Sequence, residues 1–348
     1  MPQKYLILWA CLALSLLSTC KDEGRGNRFE ADVQNVNLDL DIQRIDSLMY
    51  KTPVEKLPDV FGQLRNSDSL IFELYLGRVL GLPLNRPQVW HRGIKKWASN
   101  ASMNTLYEDV DSAYHDLAPL EHELEAAFAR HLYFFPQDTV PDFYSILTAT
   151  YQVVTYPQTV AISLDMFLGK DYRFYPSMQY PDYKIVRFQR EYILPSVMKA
   201  WFGQRFPEER YTDSKLLSKM IHEGKMLVYA QTMLPNVADT LLIEYSGKQY
   251  RWCEDNEAKI WTHLVEQDVL YNSDPQTVEK YMSDGPFTVA SGIPQQSAPR
   301  LGAYIGWKIV RAYLDQHPDV SLDVFLHNKD YKSILNNSQY QPSSKPLS

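Results

Sequence analysis

A glycine on the apolar face of a long helix constrains this chain more tightly than any other feature. Residues 214–233 carry apolar side chains at helical spacing, with Thr212, Asp213 and Ser214 as N-cap candidates and Pro235 just past the end. At about 100° per residue, Leu217, Met220, Ile221, Gly224, Val228 and Gln231 share one face, flanked by Leu216 and Leu227. Glycine inside a helix costs about 1 kcal/mol relative to alanine, so Gly224 implies a close backbone approach. A later helix, expected over 298–315, has Gly302 and Gly306 four apart, a small stripe that permits close helix packing. It also carries Arg300, Tyr304, Trp307 and Arg311 at helical spacing, a stripe that either packs or lines a cleft.

The first helix contains His222-Glu223, the opening of an H-E-x-x-H zinc-peptidase signature. Its fifth position is Met226, so the second histidine is missing. His222 falls roughly 160° from the apolar face and is expected to face solvent, whereas Glu223 falls on the border, roughly 100° away. Glu223 is therefore either half of a structural ion pair, with Arg300 or Arg311 as partner, or a functional group. A second His-Glu pair, His122-Glu123, fails the same test at Ala126. The other histidines show no helical pairing, so no metal-ligand cluster is readable. There is no G-x-S-x-G, phosphate loop or G-x-G-x-x-G. Cys253 follows Trp252 inside an expected helix and reads as a core thiol.

Along the chain, 36–45 alternates apolar and polar residues as a half-buried strand does. Helices are expected over 69–80, 87–99, 105–115 and 119–133, and strands over 143–150 and 159–164. The stretch 164–172, containing Asp165, follows the last strand and is either a cleft wall or a tight aromatic turn. From Tyr183 the pattern is helical, over 189–204, 214–233, 247–267, 275–282, 298–315 and 321–326. A β-containing first half before a helical second half predicts an α+β fold, mostly helical with a small sheet.

The N-terminus is a targeting segment. Lys4 is the only charge before residue 21, and Tyr5 to Ser18 is nearly all apolar but too short to span a bilayer, which needs about 20 residues. Leu17-Ser18-Thr19-Cys20 resembles a bacterial lipobox, with Thr19 a departure from the usual small residue. Residues 1–19 are then a lipoprotein signal, Cys20 the lipidated residue, 20–34 a flexible tether and 35–340 one globular domain. Lys21-Asp22-Glu23 is similar to signals that send lipoproteins to the cell surface. Cys11 leaves with the signal, so Cys253 is alone and no internal disulfide is expected. A net charge of -7 argues against a nucleic-acid surface. With 45% hydrophobic residues in 348, the chain can bury a core without disulfides.

Several segments together resemble the gliding-motility lipoprotein GldB family. They are 164–176, beginning Leu164-Asp165-Met166-Phe167; Met198-Lys199-Ala200-Trp201; Ile221-His222-Glu223-Gly224-Lys225-Met226-Leu227; Trp252-Cys253-Glu254-Asp255-Asn256-Glu257; Asp284-Gly285-Pro286-Phe287; and Pro299-Arg300-Leu301-Gly302 through Arg311. The resemblance implies an outer-membrane or surface lipoprotein of the gliding machinery, held by lipid and binding other envelope proteins, with no cofactor and no catalytic role. The family is in turn distantly similar to predicted zinc peptidases. There, an H-E-x-x-H helix precedes a Glu-Gly helix that supplies the third ligand. On that view Glu223-Gly224 matches the ligand helix, while Leu194, Pro195 and Met198 offer no ligand where the metal helix would fall. The implied reading is a degenerate, zincin-like pseudoenzyme whose vestigial cleft involves Glu223, Gly224, Asp165, Arg300 and Arg311. The alternative is a metal-dependent hydrolase using scattered ligands such as Glu223, Asp165 and a distant histidine.

Overall fold

The computed structural model describes residues 29–33 and 36–342. The signal segment, Cys20 and the first part of the tether lie outside these residues. Strand β1 (Ile42–Arg44) leads into helices α1 (Ile45–Lys51), α2 (Leu57–Ser67), α3 (Ser69–Phe72), α4 (Pro87–Ala98), α5 (Ala101–Ala113) and α6 (Ala118–Phe134). Then come β2 (Asp142–Ile146), β3 (Val153–Tyr156) and β4 (Thr159–Ser163). The helical remainder comprises α7 (Asp182–Ile185), α8 (Ile193–Arg205), α9 (Glu208–Tyr211), α10 (Leu216–Met233), α11 (Asp239–Ile243), α12 (Gly247–Glu266), α13 (Pro275–Met282), α14 (Leu301–Gln316), α15 (Leu322–His327) and α16 (Tyr331–Ser338). This is the α+β class expected from the sequence.

The sheet order is β1-β2-β4-β3, with the first two pairings parallel and β3 antiparallel to β4. Every residue of β4 is buried, as befits a central strand covered on both faces. Phe143, Leu147, Val160 and Ile162 face the larger core with α6, α8 and the helical second half. Tyr144, Ile146 and Ala161 face a smaller core made with α1 to α4. β3 ends in the two-residue turn Pro157-Gln158, with Gln158 left-handed at φ 59°. It is an edge strand with one strand neighbour.

Helices α10 and α14 form the centre of the larger core. A Cβ on Gly224 would lie 2.4 Å from the Gly306 carbonyl oxygen, and one on Gly306 would lie 1.8 Å from the Met220 oxygen. Two backbones therefore touch where glycine removes the side chains, which is the close approach that Gly224 implied. Gly302 adds a third point, facing Met220 and Met282.

Several expectations change. The expected strand 36–45 is strand only at Ile42–Arg44, and Ile45 already starts α1. The alternation is real, but the extended chain lies along α6. Glu125 accepts from the Leu40 amide at 3.1 Å and Glu121 from the Ile42 amide at 2.9 Å, carboxylates one helical turn apart serving alternate amides. The expected tether includes Phe29, which is buried edge-on against Phe134 at 6.0 Å. The expected helix 69–80 is a short α3 continuing into a wider π-helical turn, Glu73–Val79. Helices α1, α2, α7, α9, α11 and α16 and strand β3 were not anticipated.

His222 is the clearest correction. It is 6% exposed, not solvent-facing, and its ring lies 5.3 Å from that of Phe202 on α8. Burial lowers its pKa to about 4. The polar side of α10 is covered too. Lys225 is buried under α15 and α16, donating to the Leu326 and Asn328 carbonyls and lying over the rings of Phe325 and Tyr331. Neighbouring helices enclose α10 on all sides, which the wheel of one helix does not reveal.

Candidate functional site

A cleft of about 400 Å³ opens between the start of β3, the segment 180–188, helix α8 and the loop at Asp284. Its floor is an ionic network centred on Glu244. This residue ends α11 in the left-handed conformation, at φ 64°. Arg187 Nη1 donates to Glu244 Oε2 at 2.8 Å, and Arg187 Nη2 donates to Asp284 Oδ1 at 2.8 Å. The ammonium of Lys199, projecting from α8, bonds Glu244 Oε1. Arg300 stands between two carboxylates, 3.7 Å from Glu244 and 3.7 Å from Glu223, and donates to the Ile243 carbonyl at 2.6 Å. Arg300 is itself left-handed, at φ 49°, just before α14. Left-handed backbone at a residue other than glycine is uncommon, and here it serves two members of one network.

The electrostatics follow from this crowding. Burial pushes the Glu244 carboxyl up, but Lys199, Arg300 and Arg187 together outweigh it and hold its pKa at about 2. Glu244 is thus a fixed anion whose oxygens are already engaged, a poor general base. Burial also raises Glu223, and Arg300 and Lys199 offset this only in part. Glu223 Oε2 is enclosed without a hydrogen bond. Arg187, Lys199 and Arg300 balance Glu223, Glu244 and Asp284, so the floor is neutral and cross-tied. Lys184, on the wall, makes no ion pair among the described residues.

Asp165 works behind the wall. It is fully buried and accepts from the Ala149 amide at 2.7 Å, the Thr148 amide at 3.3 Å and the Ser163 hydroxyl at 2.6 Å. Burial dominates these donors and raises its pKa to about 6. Ala149 is left-handed at φ 55°, and its carbonyl accepts from the Tyr180 hydroxyl at 3.1 Å. This clamp shapes the turn that puts Thr150 and Tyr151 on the cleft wall. Gln152 then ties wall to floor by donating to the Arg187 carbonyl at 3.3 Å.

Of the residues singled out from the sequence, Glu223 and Arg300 meet, Gly224 seats the helix that carries Glu223, and Asp165 supports the wall. Arg311 pairs with Asp239 at 2.9 Å instead and stacks over Trp307. Sequence reasoning missed Arg187, Lys199, Glu244 and Asp284 as a group. Lys199 and Asp284 did stand inside segments already singled out, as charges among apolar and turn residues. Glu244 offered no signal, because nothing local marks its left-handed turn.

A second polar group lies beyond α8. The fully buried His131 bonds Tyr229 at 2.9 Å and Asp138 at 3.0 Å, and Asp138 pairs with Arg205 at 2.7 Å. The Trp201 indole N–H, which can only donate, also approaches His131 Nε2 at 3.4 Å. Burial, helped by Arg205, lowers His131 to about 3, so it stays neutral. Among the described residues no three of His, Cys, Asp or Glu gather in a metal-holding arrangement.

Five of the six sequence segments noted above converge here: 164–176 behind the wall, 198–201 on α8, 221–227 on α10, 284–287 at the rim and 299–302 under the floor, while 252–257 lies on α12. The model of one family, described as gliding motility protein GldB, matches residues 26–342. The chain belongs to the GldB family. The match covers the sheet, the cleft and both core helices, and it begins after Cys20. GldB membership associates the chain with gliding motility, while no curated protein and no solved structure matches it. No helix among the described residues is long and apolar enough to cross a membrane.

Proposed function

We propose that the chain is a non-catalytic lipoprotein of the bacterial cell envelope, anchored through Cys20. It supports gliding, or the secretion tied to it, by binding another envelope protein in the cleft above Glu244. The observation that carries this reading is the neutral floor. Each cation there is spent on a carboxylate, and the central carboxylate is held ionised with its oxygens occupied. Such a network fixes shape, and its central carboxylate is not free to move a proton. Glu223, facing Arg300, is the position of the central helix that serves the floor.

The test joins two measurements on the full chain. A photo-crosslinking residue at Tyr151 in living cells should trap one envelope protein, and Lys184→Glu should abolish the adduct. Purified protein should hold no stoichiometric metal. Stoichiometric zinc lost on Glu223→Ala would instead establish the metal-dependent hydrolase. A Tyr151 adduct indifferent to Lys184→Glu would remove the cleft from the reading.

A further inference from the structure

The chain joins the fold at the end of α6. Phe29 is buried edge-on against Phe134, the last residue of that helix, at 6.0 Å. From there it runs back along α6, where the Leu40 amide meets Glu125 and the Ile42 amide meets Glu121. β1 continues in that direction, and β2 and β4 lie parallel to it. All three strands therefore point away from the end of α6 where Phe29 sits. The cleft above Glu244 stands at their carboxyl ends, because Thr150 and Tyr151 follow β2 and Met166 follows β4. An ion pair gives the same polarity. Arg190, just past Arg187 and Phe188 of the cleft, pairs at 3.3 Å with Glu123 near the start of α6. α6 has 17 residues, a length of about 25 Å, and this is roughly the distance from Phe29 to the level of the cleft.

The end of α6 away from the cleft has a distinct surface. Tyr133 is 50% exposed, its ring edge-on to Phe134 at 5.0 Å, and Pro136 and Gln137 are exposed beyond it. No residue from Leu132 to Gln137 is charged, and Asp138 turns inward to His131 and Arg205. Tyrosine, with an apolar ring and a polar tip, is enriched at the level of lipid headgroups. The exposed acids nearest in sequence, Glu30 and Asp32, lie on the stretch that departs toward the strands. They suit contact with headgroups and oppose entry into hydrocarbon. Phe29 is nine residues beyond Cys20, so at most about 30 Å of extended chain separates this surface from the anchor.

We infer that the Tyr133 end of α6 rests on the headgroup layer of the bilayer that holds the Cys20 lipid, and that the cleft opens into the aqueous space about 25 Å beyond it. This rests on the reading of Cys20 as the lipidated residue. It deepens the reading of the cleft, because the partner is then met by a water-exposed segment and not by a membrane-embedded one.

The test places the photo-reactive residue benzoylphenylalanine at Tyr133 or at Tyr151 of the full lipidated chain, reconstituted in vesicles of phosphatidylethanolamine and phosphatidylglycerol. Both side chains are half exposed, so neither replacement should disturb the fold. Lipid adducts, counted by mass spectrometry, should be at least tenfold more abundant from Tyr133 than from Tyr151. Gln137 is a second site on the same surface and should label as Tyr133 does, which keeps the test decisive if the Tyr133 replacement folds poorly. Adducts as abundant from Tyr151 as from Tyr133 and Gln137, in a chain whose amino-terminal peptide carries lipid, overturn the orientation and leave the anchor standing. An amino-terminal peptide without lipid on Cys20 overturns the anchor and the orientation together.

Discussion

At the scale of single residues, charge placement decides the behaviour of the cleft. Glu244→Gln leaves Arg187, Lys199 and Arg300 without their shared anion, and breaking such a buried network costs on the order of 3 kcal/mol. Urea unfolding at pH 7 measures this. The pH dependence has a definite sign. The folded pKa of Glu244 lies at about 2, below its ordinary 4.5. Its stabilisation is therefore complete above the ordinary value and is lost as pH falls toward the folded one. The variant should show a flatter acid limb in that window. Lys225 gives the opposite case. Burial lowers its ammonium from 10.5 to about 7, so between those values the unfolded chain holds a proton that the folded chain does not. Stability should rise with pH across that interval, and Lys225→Met should remove the rise. A slope equal in both proteins would contradict the burial of that charge. Little of this was legible beforehand. Glu223 and Arg300 could be named as partners because each lies on a helix whose faces can be counted. Glu244 could not, because six charges from separate parts of the chain meet only in the folded molecule.

At the scale of elements, the crossing of α10 and α14 sets the geometry beneath the cleft. Alanine favours a helix over glycine by about 1 kcal/mol, yet Gly224→Ala would put a methyl 2.4 Å from the Gly306 carbonyl oxygen. The helices must part, and the overpacking should cost about 3 kcal/mol in urea unfolding. Gly203→Ala on α8 meets nothing within 4 Å and should be neutral or slightly stabilising. Equal effects at the two sites would contradict the close crossing. This crossing was readable in the sequence because a glycine on an apolar face has a local cost that only a neighbouring backbone explains. The burial of His222 was not, because it depends on what surrounds α10. The 36–45 segment shows a subtler failure. Its alternation correctly marks an extended chain, but its amides are satisfied partly by glutamates of α6, and periodicity does not distinguish a strand from that arrangement. β3 was missed although its composition favours strand, because four residues leave little periodicity to read.

At the scale of the whole molecule, a sheet covered on both faces holds a cleft whose floor comes from the helical second half. The α+β class was legible from the order of strand and helix patterns. The joining of the halves at one site was not, since it depends on how α8 lies beside the sheet edge. In this arrangement Asp165 shapes the wall and Gly224 seats the floor, so residues far apart in sequence serve one surface. The most direct test of that surface is the spreading rate of a deletion strain carrying Lys184→Glu with Tyr151→Ala. Neither side chain belongs to the ionic network, and the protein should fold and accumulate as the unaltered chain does. Spreading should fall to the level of the deletion strain. Spreading at the rate of the unaltered chain, with the variant at normal abundance, would contradict a role for the cleft in gliding.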